Sequence, residues 1–223
     1  MFYNYAWLIL SLSGTLFGIT GYYLDITLPG NYGGLLWTGV TGIIAGSGLI
    51  AGSVIRKLSL LSHTDFLTGL WNRRYFYQIL QKRFCQAAAQ KLHLCVAMID
   101  VDGFKTINDT YGHTTGDQLL SGLAALLKRN AGNTVVTRWG GDEFAIIFTG
   151  TTLATSQEVM ERIRCLTETT FSPYQLTISA GLVPFKTGQT LNEFLSQADH
   201  ALYKAKLQKN SIITIIDDEL LRL

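Results

Sequence analysis

Gly140-Gly141-Asp142-Glu143-Phe144 sets two adjacent carboxylates beside a Gly-Gly pair, between the apolar runs Val135 to Trp139 and Phe144 to Phe148. Two glycines between β-prone runs are a strong hairpin signal, because a tight turn needs positive φ, which Gly adopts cheaply. Asp142 and Glu143 are therefore expected at an exposed strand start. Carboxylates about 4 Å apart repel by about 4 kcal/mol at an effective dielectric near 20, and a hard divalent cation such as Mg²⁺ relieves that repulsion. A solvated acidic turn is the alternative for this pentapeptide alone. A second acidic cluster favours the cation. Leu94-Cys95-Val96-Ala97-Met98-Ile99 has the length and continuous apolarity of a buried central strand and runs into Asp100-Val101-Asp102. Ligands of α/β sheets collect at strand ends. Asp100 and Asp142 can then share one ion, completed by substrate phosphates. Asp102, just before Gly103-Phe104-Lys105, reads as the N-cap of a following helix rather than a ligand.

The elements that must position these groups follow from periodicity and turn residues. Helices are expected near Tyr75 to Gln90, across Phe104 to Arg129, from Leu153 to Thr169 and from Leu191 to Lys206. Strands are expected up to Asp100, on both sides of Gly140, over Leu176 to Val183 and over Ile212 to Ile216. Alternating helices and strands around one hairpin argue for an α/β fold with a mixed central sheet flanked by helices.

Four blocks, in order, carry a family resemblance: Asp65-Phe66-Leu67-Thr68-Gly69-Leu70-Trp71-Asn72-Arg73-Arg74; Asp100 to Asp117 (DVDGFKTINDTYGHTTGD); Arg138 to Phe144 (RWGGDEF); and Ala198-Asp199-His200-Ala201-Leu202-Tyr203-Lys204-Ala205-Lys206. Over roughly Ser62 to Ile216 the sequence resembles the GGDEF family of diguanylate cyclases. The resemblance implies a nucleotidyl cyclase and polymerase-palm type of fold. It also implies condensation of two GTP molecules into cyclic di-GMP and two pyrophosphates. Each GTP would lie on one subunit of an antiparallel homodimer, so that one subunit holds half a site. By the same resemblance Asp100, the Val101 carbonyl and Asp142 are metal ligands for Mg²⁺ or Mn²⁺. Asp142 also helps deprotonate the attacking hydroxyl with Glu143 beside it, and Lys105 and Lys206 meet the triphosphate. Asn108 and Asp117 match the guanine readers, and His113 lies between them. A carboxylate accepts from guanine N1-H and N2-H together, while an amide both donates and accepts. Taken singly, Asn108 is also an ordinary turn residue, Asp117 a helix-start residue, His113 a cap and either lysine solvated surface.

Two stretches depart from the family pattern. Where many members carry Arg-x-x-Asp for product inhibition, this chain has Ala131-Gly132-Asn133-Thr134, so feedback through that site is not expected. The usual Gly-Arg-Asn after Ala-Lys is replaced by Leu207-Gln208-Lys209-Asn210, one residue short. Lys209 can stand for the arginine.

The 223 residues leave room for one domain of about 150 residues plus an appendage. A net charge of +2 argues against a binder of nucleic acid polymers. Cys85, Cys95 and Cys165 lack CxxC spacing and read as buried thiols in a reducing compartment. Tyr5 to Leu24 and Leu35 to Ile55 carry no charge, and each matches the ~20 residues of a membrane-crossing helix. Residues 1–57 are expected as a transmembrane hairpin (spans about 5–24 and 35–55), 58–63 as a helical connector and 64–223 as the catalytic domain. Asp25 to Gly34 is the intervening loop, with Tyr22, Tyr23, Tyr32 and Trp37 at the interface. A cleaved signal peptide is the competing reading of the first span, which lacks a basic start and a clear cleavage site. Arg56-Lys57 after the second span place the catalytic domain in the cytoplasm by the positive-inside rule, on the inner (cytoplasmic) membrane. Gly14/Gly18, Gly42/Gly46 and Gly48/Gly52 form GxxxG pairs that either pack the hairpin on itself or pair subunits. A non-catalytic receptor for GTP or cyclic di-GMP, or a membrane adaptor, is the alternative function, since fold alone does not guarantee activity.

Overall fold

A computed structural model describes residues 6–27, 33–61, 63–90 and 92–215. The chain divides into two compact units, Met1–Ser62 and His63–Leu223. In the first unit α1 (Ala6–Thr27) and α2 (Gly33–Leu61) pack along each other. A Cβ on Gly14 would stand 2.6 Å from Ile44 Cγ2, one on Gly18 would run into Thr41, and one on Gly21 would stand 2.6 Å from Trp37 Cε3. The Gly14/Gly18 pair therefore packs the hairpin on itself. Gly42 and Gly46 face open space within the chain.

Of the two expected spans, Trp37–Ile55 alone is long and apolar enough to cross a membrane among the described residues. Within α1, Thr15 and Thr20 return their hydroxyls to the carbonyls of Ser11 and Leu16. The expected connector continues α2 as helix to Leu61. Tyr5, the loop centre 28–32, Ser62 and Ile216 lie outside the described residues, as do the side chains of Arg56 and Lys57.

The second unit is an α/β sandwich. Its described strands are β1 (Trp71–Asn72), β2 (Leu94–Val101), β3 (Val135–Gly140), β4 (Glu143–Thr149), β5 (Ile178–Pro184) and β6 (Ile212–Thr214), in the spatial order β1-β3-β4-β2-β5-β6. β1 with β3 and β5 with β6 run parallel, and the three inner pairings are antiparallel. The sheet is thus mixed, as expected. Helices α3 (Arg73–Gln90), α4 (Phe104–Tyr111), α5 (His113–Asn130), α6 (Leu153–Thr170) and α7 (Leu191–Gln208) cover it. Two short elements escape the periodicity reading: the two-residue β1 and a 3₁₀ turn at Ser172–Tyr174.

Alternation along the strands sorts the core into two layers. Cys95, Ala97 and Ile99 of β2, with Phe144, Ile146 and Phe148 of β4, meet Leu119, Leu123 and Leu127 of α5 and Met160 and Ile163 of α6. Leu94, Val96 and Met98, with Ala145 and Ile147, meet Phe76 and Leu80 of α3 and Phe194, Ala198 and Ala201 of α7. Gly181 of β5 makes the second layer close. A Cβ there would stand 2.5 Å from the Ala198 carbonyl and against the Leu202 amide, so only glycine lets α7 lie this near the sheet. Cys95 is buried as expected, whereas Cys85 and Cys165 are exposed on α3 and α6, and all three are free. Their helices are amphipathic, and these positions fall outside the apolar stripe.

Candidate active site

Asp100 inherits its place from β2. Continuing the Leu94, Val96, Met98 series, its side chain lies on the face covered by α3 and α7, and the residue is only 5% exposed. Antiparallel register sets it directly opposite Glu143 of β4 on one side and Ser179 of β5 on the other. Opposed residues on an antiparallel pair share a face, so the Asp100 and Glu143 carboxylates are neighbours. The last turn of α7 brings Lys206 to the same point, with Nζ donating to Asp100 Oδ2 at 2.7 Å. Burial pushes the Asp100 carboxyl above the ordinary carboxylate range. Lys206 offsets part of this, and the like charges of Asp142 and Glu143 add to it. Partial burial works against the Lys206 charge, but its hydrogen bond to Asp100 and the surrounding carboxylates hold its pKa above the ordinary lysine range.

The hairpin differs from the sequence expectation by one residue. β3 runs through Gly140, which pairs with Glu143, so the turn is Gly141-Asp142 rather than Gly140-Gly141. A register shift between Arg138 and Gly140 absorbs the difference, and Gly141 takes the left-handed φ of 51°. Asp142 therefore sits within the turn itself, and its carbonyl accepts from the Val101 amide at 3.3 Å. That bond ties the turn to the end of β2.

Sequence reasoning missed the groups that hold this turn. Arg138 donates to the Gly141 carbonyl through Nε at 3.0 Å and Nη2 at 2.7 Å, while Nη1 meets Asp65 Oδ1 at 3.1 Å. Asp65 in turn accepts from the Thr68 amide at 2.9 Å and hydroxyl at 2.7 Å. Burial alone would raise the Asp65 pKa; the Thr68 hydrogen bonds and Arg138 outweigh it and hold the carboxyl below its ordinary value. The available signal was Asp-x-x-Thr, an Asx-type turn, together with an arginine two residues before the Gly-Gly pair.

Asp102 is not an N-cap. The cap of α4 is Gly103, which supplies no side chain. The Asp102 carboxylate instead accepts from Thr177 Oγ1 (2.7 Å), Ser179 Oγ (2.7 Å) and the Asn210 amide (2.9 Å). Two hydroxyls from β5 and its approach and one amide from the turn after α7 outcompete the one amide that a cap would satisfy.

Asn108 lies in α4 rather than in a turn, and α4 meets α5 at Gly112, whose amide returns to the Asn108 carbonyl at 2.9 Å. The Asn108 carboxamide lies over Gly116, where a Cβ would strike Oδ1 and stand 3.1 Å from Cγ. This corner brings Asn108 beside Gly116-Asp117. Asp117 is the fifth residue of α5, His113 is its first after the Gly112 cap, and both are exposed. Lys105 is exposed on the first turn of α4. Among the described residues no hydrogen bond or ion pair joins Lys105 or His113 to the acidic group. A cavity of about 480 Å³ beside Lys186, Gln189 and Glu193 includes none of these residues.

Among the described residues no group of three or more His, Cys, Asp and Glu side chains is arranged to hold a metal by itself. The donor set nonetheless fits Mg²⁺, which takes one or two carboxylates and completes its shell with water and phosphate. A desolvated carboxylate whose pKa is pushed up by two like charges is a site that a cation relieves.

The model of the family described as "Diguanylate cyclase, GGDEF domain" matches residues 62–211, two thirds of the chain. The chain belongs to the GGDEF family. The probable diguanylate cyclase DgcC of Escherichia coli K12 is 36% identical over 157 residues, covering 68% of this chain and 42% of DgcC. Diguanylate cyclase DgcM of the same organism is 37% identical over 153 residues, covering 67% of this chain and 37% of DgcM. The chain thus spans about two fifths of the length of these curated relatives. The GGDEF domain of DgcB from Caulobacter crescentus, solved in complex with c-di-GMP, superposes with a TM-score of 0.63 at 32% identity, over 69% of this chain and 95% of that one. The GGDEF match takes in every group of the candidate site and leaves α1 and α2 outside it.

Proposed function

We propose that this chain is a membrane-anchored diguanylate cyclase that condenses two GTP into cyclic di-GMP and two pyrophosphates. The observation that carries the reading is the register placing Asp100 opposite Glu143, with Asp142 in the adjoining turn and Lys206 2.7 Å from Asp100. Asp100, the Val101 carbonyl and Asp142 would hold Mg²⁺ or Mn²⁺, which neutralises charge on the phosphate oxygens when bound. Each GTP 3′-oxygen attacks the α-phosphorus of the other nucleotide. The hydroxyl proton passes to the Asp142 carboxylate with Glu143 beside it, and pyrophosphate leaves. Lys206 and Lys105 meet the triphosphate as point charges. Asn108 and Asp117 select guanine, His113 borders the nucleotide, and adenine would leave the carboxylate unpaired.

One subunit carries one GTP, so the active species is a homodimer. Ala131 is buried at the C-cap of α5 and offers no cation, which supports the absence of product inhibition through an Arg-x-x-Asp site. Residues 1–57 form the anchor, with Trp37–Ile55 as its best-supported span, 58–63 the connector, and 64–223 the catalytic domain in the cytoplasm. The test is incubation of the full chain in nanodiscs with GTP and Mg²⁺, with ATP as control and products resolved by chromatography. Cyclic di-GMP is expected from GTP alone, and Asp142→Ala should lower its rate at least about a hundredfold without unfolding the protein. Dimeric protein that yields no cyclic dinucleotide would return the chain to a receptor or adaptor role.

A further inference from the structure

α7 ends on an unusual backbone. Lys209 has φ 57° and ψ 161°, a region that essentially only glycine occupies without strain. Asn210 follows at φ 42°. Two successive non-glycine residues at positive φ do not persist unless their surroundings hold them. Hydrogen bonds from neighbouring elements hold them. The Asn210 amide donates to Asp102 Oδ2 at 2.9 Å, and Asn210 Oδ1 accepts from Arg164 Nη1 of α6 at 2.9 Å. Arg164 is fixed in turn by Glu161 at 2.6 Å and Glu168 at 3.0 Å. The Ala205 carbonyl, one residue before Lys206, accepts from the Lys209 amide at 2.9 Å and from Ser211 Oγ at 3.0 Å. Asp102 is itself locked to β5 by Thr177 and Ser179 and lies two residues beyond Asp100 on the same strand end.

We infer that Asp102 is a positioning residue of the site: with Arg164 it clamps the strained Lys209-Asn210 turn to the tip of β2, and so fixes Lys206 beside Asp100. The clamp adds a second polar tie between the end of α7 and the tip of β2, beside the Lys206–Asp100 bond. It also accounts for the shortened Leu207-Gln208-Lys209-Asn210 segment. With no glycine to adopt the left-handed turn freely, the geometry is imposed by hydrogen bonds from outside. The inference rests on reading Lys206 as the cation that meets the triphosphate.

Two measurements on the full chain in nanodiscs test it. In hydrogen exchange read by mass spectrometry, Asp102→Ala should speed exchange of the amides across residues 206–211 about tenfold, the ratio for losing one charge-assisted hydrogen bond, while β2 and β4 exchange as before. Arg164→Gln should move the same amides in the same direction by less, and serves if Asp102→Ala does not fold. Unchanged exchange in both variants would overturn the clamp. In binding of the non-cyclising α,β-methylene analogue of GTP with Mg²⁺, Asp102→Ala should weaken affinity about tenfold in the native background and not at all in a Lys206→Met background, because the two act through one group. A full-sized loss in both backgrounds would overturn a role through Lys206. A native protein that neither binds the analogue nor makes cyclic di-GMP would overturn the cyclase reading, and the exchange experiment would still decide the clamp.

Discussion

Asp100 is held where its charge is costly. A folded-state carboxyl pKa above the ordinary value means that the native protein binds the proton more tightly than the unfolded chain does. Ionised Asp100 therefore subtracts stability in full above that pKa, and the penalty fades as pH falls through it and is gone below the ordinary value of 3.8. Asp100→Asn should raise the melting temperature near neutral pH in the absence of divalent cation, while lowering cyclic di-GMP synthesis at least about a hundredfold. A lower melting temperature would show that the Lys206 pairing outweighs burial and repulsion. Asp65 has the opposite sign. Its depressed pKa contributes stability above the ordinary value of 3.8, and that stability is lost as pH falls through the folded value below it. Asp65→Asn should cost about 1–3 kcal/mol at neutral pH, with the gap to the native protein closing in melts below pH 3.8. A gap that stays constant on acidification would remove the Asp65–Arg138 pair as its source.

At the scale of elements, the site depends on how closely α7 lies on β5. Gly181 permits that approach, and the Ala198 carbonyl and Leu202 amide that a Cβ would meet are backbone atoms unable to rotate away. Gly181→Val should therefore destabilise the fold by about 1–3 kcal/mol, the cost of overpacking. It should also lower activity beyond what the loss of folded protein explains, because displaced α7 carries Lys206 with it. Thermal melts beside specific activity per folded molecule separate the two effects. The hairpin β3–β4 acts similarly through its register: Gly140 pairs with Glu143, so Asp142 occupies the turn while Glu143 stays on the sheet face beside Asp100. A single-residue slip would turn Glu143 to the other face.

At the scale of the whole molecule the chain falls into two compact units, Met1–Ser62 and His63–Leu223; under the proposed function the first anchors and the second carries the chemistry. If two half-sites must meet, confining subunits to one membrane raises their effective concentration. A fragment of residues 63–223 should keep its fold, since its core layers are all internal. At low micromolar concentration and below it should lose synthesis by about 10²-fold and recover it when fused to a dimeric coiled coil. Dilution series of the fragment with and without the coiled coil measure this; activity proportional to concentration without the fusion would argue for a competent monomer.

The sequence by itself determined the parts with strong local signals. The apolar run before Asp100 had the length and continuity of a buried central strand, the Gly-Gly pair marked the hairpin, and the four blocks named the family. Uncharged stretches marked the two helices before the catalytic unit, of which Trp37–Ile55 is long and apolar enough to cross a membrane among the described residues. The tertiary structure alone decided which side chains share a face and who holds them. Lys206 reaches Asp100 across 106 residues of chain and Arg138 reaches Asp65 across 73, separations that no periodicity encodes. Asp102 was misread for the same reason: its nearest neighbours in sequence offered one amide, whereas folding delivered two hydroxyls and a more distant amide from Thr177, Ser179 and Asn210. A carboxylate goes to the larger set of donors, and that set exists only once the strands have paired.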